Sequence, residues 1–77
     1  MNEKEIIKNF LKKVKNVDNL ADNDDLFAKG YVTSLFALQL IMFVEKEFKI
    51  KIGKKDIKED NFRSLDAIVE TINRLKG

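Results

Sequence analysis

The stretch that decides the fold is residues 25–48, DLFAKGYVTSLFALQLIMFVEKEF. Its beginning mixes polar and apolar residues around Gly30, whereas the part after Thr33 is almost continuously apolar. Thr33 can cap a helix, because a side-chain oxygen at this position accepts a hydrogen bond from an N–H group of the first turn. We therefore predict a helix from Ser34 to about Phe48. Its apolar residues cover more than one face, so this helix is either the most buried element or carries an exposed apolar face.

Amphipathic segments lie on both sides of this stretch. Near the start, apolar residues recur at steps of three and four, which predicts a first helix over roughly residues 3–15. These residues are Ile6, Ile7, Phe10, Leu11 and Val14. Near the end, Ser64 precedes the same pattern and is the predicted N-cap of a last helix. That pattern is formed by Leu65, Ile68, Val69, Ile72 and Leu75.

The segment from Asn16 to Thr33 is rich in Asn, Asp and Gly and is predicted to be a long loop. Four apolar side chains are spaced to anchor it to the core: Leu20, Leu26, Phe27 and Tyr31. The acidic run Asp22–Asp25 suggests a calcium loop, but an EF-hand needs oxygen ligands at alternate positions and a glycine at the sixth. The fifth and sixth residues from Asp22 are Leu26 and Phe27. We therefore interpret the acids as Asx turns or a local cap.

The segment between the second and last helices begins with Lys49–Ile52, which alternates like a strand. A single short strand without a partner cannot form a sheet, so we predict an extended connector that buries two isoleucines. Residues 56–62 are predicted to hold a short helical turn. The fold class is therefore all-α. We expect residues 1–77 to form one domain, a small four-helix bundle with three main helices and one short helix.

The composition excludes several classes of function. The chain has no cysteine and no histidine, so disulfides, thiolate metal sites and nucleophiles activated by an imidazole are excluded. We expect no metal site and no enzymatic activity. The charged start and the lack of an apolar run of about 20 residues favour a cytoplasmic protein with no membrane partner.

The basic residues give an alternative interpretation. Lys8, Lys12 and Lys15 lie off the apolar stripe of the first helix. They form either an ordinary solvated surface or the contact face of a small basic nucleic-acid binder, whose affinity would fall steeply with salt. The net charge is only +2 and most of the basic residues are lysines, whereas recognition of bases and phosphates favours arginine. We therefore expect no nucleic-acid partner.

Ser34 and Ser64 are the two serines of the chain, and each precedes a leucine at a predicted helix start. Ser64 is interpreted as a simple cap. At Ser34 the cap is already supplied by Thr33, which leaves the Ser34 hydroxyl free to point outward. The start of a helix gathers unpaired N–H groups and the positive end of the helix dipole, which favour a phosphate group. Ser34 is therefore either without a role beyond the helix start or a site of phosphate attachment.

The order of motifs resembles that of the acyl and peptidyl carrier proteins. Residues 25–35, DLFAKGYVTSL, are similar to their Leu-Phe, Gly and Asp-Ser-Leu pattern, and residues 45–52, EKEFKIKI, to the helix ending Glu-x-x-Phe-x-Ile-x-Ile. Residues 61–68, NFRSLDAI, resemble the junction of the last two helices in stand-alone carriers that are loaded by adenylating ligases.

The resemblance implies a cofactor and a set of partners. Ser34 would bear 4'-phosphopantetheine donated by coenzyme A, with Thr33 and Leu35 beside the attachment point. The thiol of this group would hold an acyl or aminoacyl cargo as a thioester. The implied partners are a phosphopantetheinyl transferase, an AMP-forming acyl or aminoacyl ligase and a downstream transferase or condensing enzyme of fatty acid, nonribosomal peptide or polyketide biosynthesis. The resemblance also implies a monomer.

Two departures from the family pattern affect these expectations. Thr33 stands where the carriers have aspartate, which preserves a cap but removes a negative charge that the transferase could recognise. The residues after Ser34 lack the carboxylates of fatty-acid carriers. We therefore expect partners to dock on an apolar patch around Phe36, Gln39 and Met42, unless Phe36 and Met42 belong to the core. The alternative function is an unmodified helical interaction module that keeps the carrier fold.

Overall fold

The computed structural model describes residues 2–17 and 20–76. They form three α-helices: α1 is Glu3–Lys15, α2 is Ser34–Phe48 and α3 is Leu65–Lys76. Two 3-10 turns, Lys54–Asp56 and Glu59–Asn61, lie between α2 and α3. The described residues contain no strand, and the predicted all-α class is confirmed. The bounds predicted for the first two helices are confirmed as well. Asp18 and Asn19 of the predicted loop lie outside the described residues.

The predicted fourth, short helix is not confirmed. Lys58 lies between the two 3-10 turns with an extended backbone, φ −141° and ψ 154°, so the turns cannot join into one helix. Asp56, at the end of the first turn, is buried and accepts a hydrogen bond from Arg74 of α3 at 3.1 Å. The Asn61 side chain also donates to the Asp56 carbonyl at 2.7 Å. These contacts hold the segment against α3 as two separate turns.

Helix α1 forms where local signals agree. Asn2 caps it by accepting a hydrogen bond from the Glu5 N–H at 2.9 Å, and Asn16 ends it in the left-handed conformation with φ 54°. Ile7 and Leu11 are fully buried, whereas Ile6 and Phe10 are only partly buried. Val14, the last residue of the predicted apolar stripe, is exposed and does not belong to the buried face.

The core takes side chains from all three helices and from the segments that join them. The buried apolar residues are Ile7, Leu11, Val17, Leu20, Leu26, Val32, Phe36, Leu40, Ile41, Val44, Ile52, Phe62, Leu65, Ile68 and Ile72. Of the predicted loop anchors, Leu20 and Leu26 are buried, while Phe27 and Tyr31 are partly buried. In the connector after α2, Ile52 is buried and Ile50 is partly buried. The loop and the connector are therefore parts of the core.

An ion network ties the loop to α1 and α3. Lys4 Nζ lies 2.9 Å from Asp22 Oδ2 and 3.2 Å from Asp66 Oδ1. The hydrogen bond from Lys4 lowers the pKa of the Asp22 carboxyl below its ordinary 3.8. The hydrogen bonds to Asp22 and Asp66 raise the pKa of the Lys4 ammonium above 10.5. The network therefore stabilises the fold only while both kinds of group are charged.

This network predicts a pH dependence of stability. Because folding lowers the pKa of Asp22, its carboxylate contributes fully to the stability of the fold above pH 3.8. This contribution is lost as the pH falls through the lower pKa of the folded state. Because folding raises the pKa of Lys4, its ammonium group contributes fully to the stability of the fold below pH 10.5. This contribution is lost as the pH rises through the higher pKa of the folded state. The melting temperature of Lys4→Met, measured across pH, should differ from that of the wild type in the interval between these limits and approach it beyond them. A difference that is constant with pH would assign the effect to packing of the lysine stem.

No helix in residues 2–17 and 20–76 combines the length and apolar character that a bilayer crossing requires.

Candidate functional site

Ser34 is the first residue of α2 and is exposed. Thr33, before it, has an extended backbone, and its Oγ1 accepts a hydrogen bond from the Phe36 N–H at 3.2 Å. The Thr33 carbonyl accepts from the Ala37 N–H at 2.8 Å. Thr33 therefore does the capping, as predicted. The Ser34 side chain makes no hydrogen bond with the residues that the structure describes.

The loop before Ser34 is built around Leu26. Its side chain is fully buried, its N–H donates to the Arg63 carbonyl at 2.6 Å, and its carbonyl accepts from the N–H groups of Tyr31 and Val32. The chain can close this turn because Gly30 has φ +77°, a conformation that favours glycine. Val32 is buried one residue before the cap. Leu26 and Val32 thus fix the position at which α2 begins.

The acidic run forms local turns, as the sequence predicted. Asp25 Oδ1 accepts hydrogen bonds from the N–H groups of Phe27 and Ala28 at 3.1 and 3.0 Å. Asp24 Oδ2 accepts from the Ala21 N–H at 2.9 Å. Across the described part of the chain, no group of three or more acidic side chains is arranged to hold a metal ion. These aspartates shape the loop that leads to Ser34.

The electrostatics at Ser34 favour an anion. The first turn of α2 contains no acidic residue. The N–H groups of Ser34 and Leu35 have no acceptor among the described residues, as is usual at the start of a helix. These N–H groups and the helix dipole concentrate positive charge beside the hydroxyl. The residues around Ser34 therefore fit a phosphate group, with Ser34 and Leu35 supplying backbone donors.

An open groove begins at Ser34, with a volume of about 240 Å³. Among the residues that line it are Leu38 of α2, Phe62, and Ile57 and Lys58, which lie between the two 3-10 turns. Leu35 and Met42 lie on the same side of α2 as Leu38, at steps of three and four residues. Their exposed fractions are 76% and 68%. We call Leu35, Leu38, Met42 and Ile57 the apolar face, and it lies beside Ser34.

The structure corrects one residue of the predicted docking patch. Phe36 is only 5% exposed and belongs to the core. The rings of Phe36 and Phe10 are stacked, and their centroids are 6.0 Å apart. Gln39 and Met42 are exposed, so the interpretation of Met42 as a core residue is wrong. Phe36 is two residues from Ser34, so it points toward the opposite side of α2, which faces the core.

Two known proteins are each 32% identical to this chain over most of its length. An aminoacyl carrier protein of Agrobacterium fabrum matches over 69 residues, which are 90% of this chain and 82% of that protein. A probable acyl carrier protein of a Serratia species, PigG, matches over 60 residues, which are 78% of this chain and 69% of that protein.

The chain belongs to the acyl carrier protein family. No known family profile matches it. The predicted resemblance is thus confirmed at the level of the family. One relative is named for an aminoacyl cargo and the other for an acyl cargo.

Two residues of the apolar face in this carrier family member were missed by the sequence analysis. The predicted docking patch of Phe36, Gln39 and Met42 includes neither Leu38 nor Ile57. The signal in the sequence is a second apolar row at helical spacing, Leu35, Leu38 and Met42. It is separate from the row of Phe36, Leu40 and Val44. Nothing in the local sequence indicates that Ile57 lies across a groove from Leu38, because that proximity depends on the path of the chain between α2 and α3.

Most of the remaining sequence candidates have structural partners. Ser64 Oγ accepts a hydrogen bond from the Ala67 N–H at 3.1 Å, which confirms Ser64 as the cap of α3. Lys8 Nζ lies 3.8 Å from Asp22 Oδ1, and Lys15 Nζ lies 4.6 Å from the centroid of the Phe36 ring. Of the three lysines considered for nucleic-acid contact, two therefore contact other parts of the chain.

Proposed function

We propose that this carrier protein holds an acyl or aminoacyl group as a thioester on 4'-phosphopantetheine attached to Ser34 Oγ. The observation that carries the proposal is the division of roles at the start of α2. Thr33 caps the helix and leaves the adjacent Ser34 hydroxyl exposed. When bound, the cofactor supplies the thiol that this cysteine-free chain lacks.

The chain's own residues hold and present this group. The free N–H groups of Ser34 and Leu35 and the helix dipole favour the negative phosphodiester. Leu26 fixes the loop in front of it through its buried side chain and three backbone hydrogen bonds. Ser34 thus stays at one place on the surface while the attached arm moves.

The reactions are assigned to partner enzymes. A phosphopantetheinyl transferase attaches the group from coenzyme A, an AMP-forming acyl or aminoacyl ligase loads it, and a downstream transferase or condensing enzyme receives the cargo. The chain has no histidine to act as a base. In this proposal it therefore contributes an accessible hydroxyl and a docking surface, the apolar face defined above with Gln39 at its border.

The test uses the intact mass of the protein. Incubation with coenzyme A and a broad-specificity phosphopantetheinyl transferase should add one phosphopantetheine group. Ser34→Ala should show no addition, because the attachment oxygen is absent. Ser64→Ala is the matched control: it loses the α3 cap, which costs about 1 kcal/mol, but should still be modified.

Two results would contradict the proposal. One is the same addition on Ser34→Ala. The other is an unmodified, folded wild-type chain after treatment with several active transferases. The second result would favour an unmodified interaction module and would point to Thr33, in place of aspartate, as the reason.

A further inference from the structure

Lys58 and Ser34 line the same open groove, whose volume is about 240 Å³. Two hydrogen bonds hold the backbone of Lys58. Its N–H donates to the Asp56 carbonyl at 3.1 Å, and its carbonyl accepts from the Asn61 N–H at 3.0 Å. Asp56 is itself buried and pairs with Arg74 at 3.1 Å. The backbone that carries the Lys58 amine is therefore fixed beside the Ser34 hydroxyl.

The amine of Lys58 lacks the contacts that hold two other lysines near the start of α2. Lys29, in the loop before this helix, has its Nζ 3.5 Å from Asp24 Oδ1. Lys15 Nζ lies over the Phe36 ring, 4.6 Å from its centroid. Among the described residues, no carboxylate lies within ion-pair distance of Lys58. The Lys58 amine can therefore react without first leaving a carboxylate of this part of the chain.

A flexible arm on Ser34 brings its cargo within reach of this amine. The free end of a short flexible tether is concentrated around its point of attachment, at about millimolar level. Lys58 lies close to that point, and the groove that both residues line is open. Glu59, the acid of this groove, pairs with Arg63 at 3.4 Å. The neutral amine of a lysine is a nucleophile toward carbonyl carbon, so a tethered thioester and Lys58 can react.

We propose that Lys58 is a self-acylation site, at which its amine takes the acyl group from the thioester carried by Ser34. The inference rests on the proposed function, which supplies the thioester. The lysine nitrogen attacks the thioester carbonyl, so that a C–N bond forms, the C–S bond breaks and the sulfur leaves. The proton that the nitrogen loses balances the proton that the released thiol gains. The products are an uncharged amide on Lys58 and an arm that can be loaded again.

The test follows acetyl groups that resist hydroxylamine, which cleaves a thioester and leaves an amide in place. The full-length chain is loaded from acetyl-coenzyme A by a broad-specificity phosphopantetheinyl transferase, separated from free coenzyme and incubated at mildly alkaline pH. Intact mass should then show a resistant acetyl group, and peptide mapping should place it on Lys58. At about 10 µM protein, this transfer should be about a hundredfold faster than transfer between molecules, because the tether supplies a millimolar local concentration.

Three variants supply the controls. Lys58→Arg keeps the positive charge but should lower the rate of resistant acetylation about tenfold, because the nearby amine is absent. Lys55→Arg is the matched control and should keep the wild-type rate, since Lys55 is exposed and is not among the residues that line the groove. Ser34→Ala with acetyl-coenzyme A measures acetylation directly from solution. Circular dichroism checks that all three variants are folded.

The proposal is wrong if the loaded chain loses its acetyl group only by hydrolysis or if the resistant acetyl groups are spread over the exposed lysines. It is also wrong if Ser34→Ala acquires the group on Lys58 at the wild-type rate. A rate constant that falls in proportion to dilution would show transfer between molecules and would overturn it as well. Each of these results leaves the carrier function in place once the thioester has formed. A chain that no transferase loads overturns the carrier function, and self-acylation with it.

Discussion

Replacing Phe36 with alanine should lower the free energy of unfolding by about 3–5 kcal/mol, as is usual for a buried aromatic residue. Phe36 is 5% exposed and packs in the core. The centroid of its ring lies 6.0 Å from that of Phe10. The Phe10 ring in turn stacks on the ring of Phe43, with 4.0 Å between the centroids. A domain of this size has a total stability of only about 5–10 kcal/mol. The loss should be evident in urea unfolding followed by circular dichroism.

The matched control for Phe36 lies on the same helix. Met42→Ala removes a side chain that is 68% exposed and should change stability by less than about 0.5 kcal/mol. Equal effects of the two substitutions would contradict the assignment of the buried and exposed faces of α2. Because Phe36 is buried, a loss of cargo loading in a Phe36→Asp variant would reflect unfolding and would not test docking. Leu38→Asp is the informative substitution for docking, because Leu38 is exposed and lines the groove.

Replacing Leu26 with alanine should cost about 2–5 kcal/mol. Its side chain is fully buried although it lies in a loop. The substitution should also loosen the backbone, since the Leu26 carbonyl accepts hydrogen bonds from Tyr31 and Val32 at 2.9 and 3.1 Å. Chemical unfolding gives the loss of stability, and hydrogen exchange of these two amides gives the local effect.

Leu35→Ala is the control for Leu26, because it makes the same chemical change at a side chain that is 76% exposed. It should leave both the stability and the exchange rates near those of the wild type. If Leu26→Ala were equally mild, the loop would not be anchored by this residue. The position of Ser34 would then depend on Val32 and the Thr33 cap alone.

Local signals were sufficient for the predictions that the structure confirms. The bounds of α1 and α2 follow from apolar spacing, and the start of α2 follows also from Thr33 as its cap. The same holds for the caps Thr33 and Ser64. Each side-chain oxygen accepts a hydrogen bond from the N–H group three residues later. The exposed hydroxyl of Ser34 follows from the neighbouring cap. Such features depend on short-range hydrogen bonds and steric preferences, which the order of residues displays directly.

The buried face of α2 could not be predicted in this way. Leu35, Leu38 and Met42 repeat at helical spacing just as Phe36, Leu40 and Val44 do. Both rows are apolar, so periodicity does not distinguish the side that faces the core from the side that faces solvent. Val14 is a further case, because an apolar residue at the end of a stripe is exposed when no other element covers it.

By itself, the amino-acid sequence determined the all-α class, the main helices, the caps of α2 and α3 and the absence of histidine and cysteine chemistry. Only the tertiary structure decided that Phe36 is in the core, that Ile57 and Lys58 lie beside Ser34, and that residues 54–61 form two turns. The physical reason is distance along the chain. These outcomes depend on contacts such as Arg74 with Asp56 and Leu26 with Arg63, which join residues far apart in sequence and leave no local pattern.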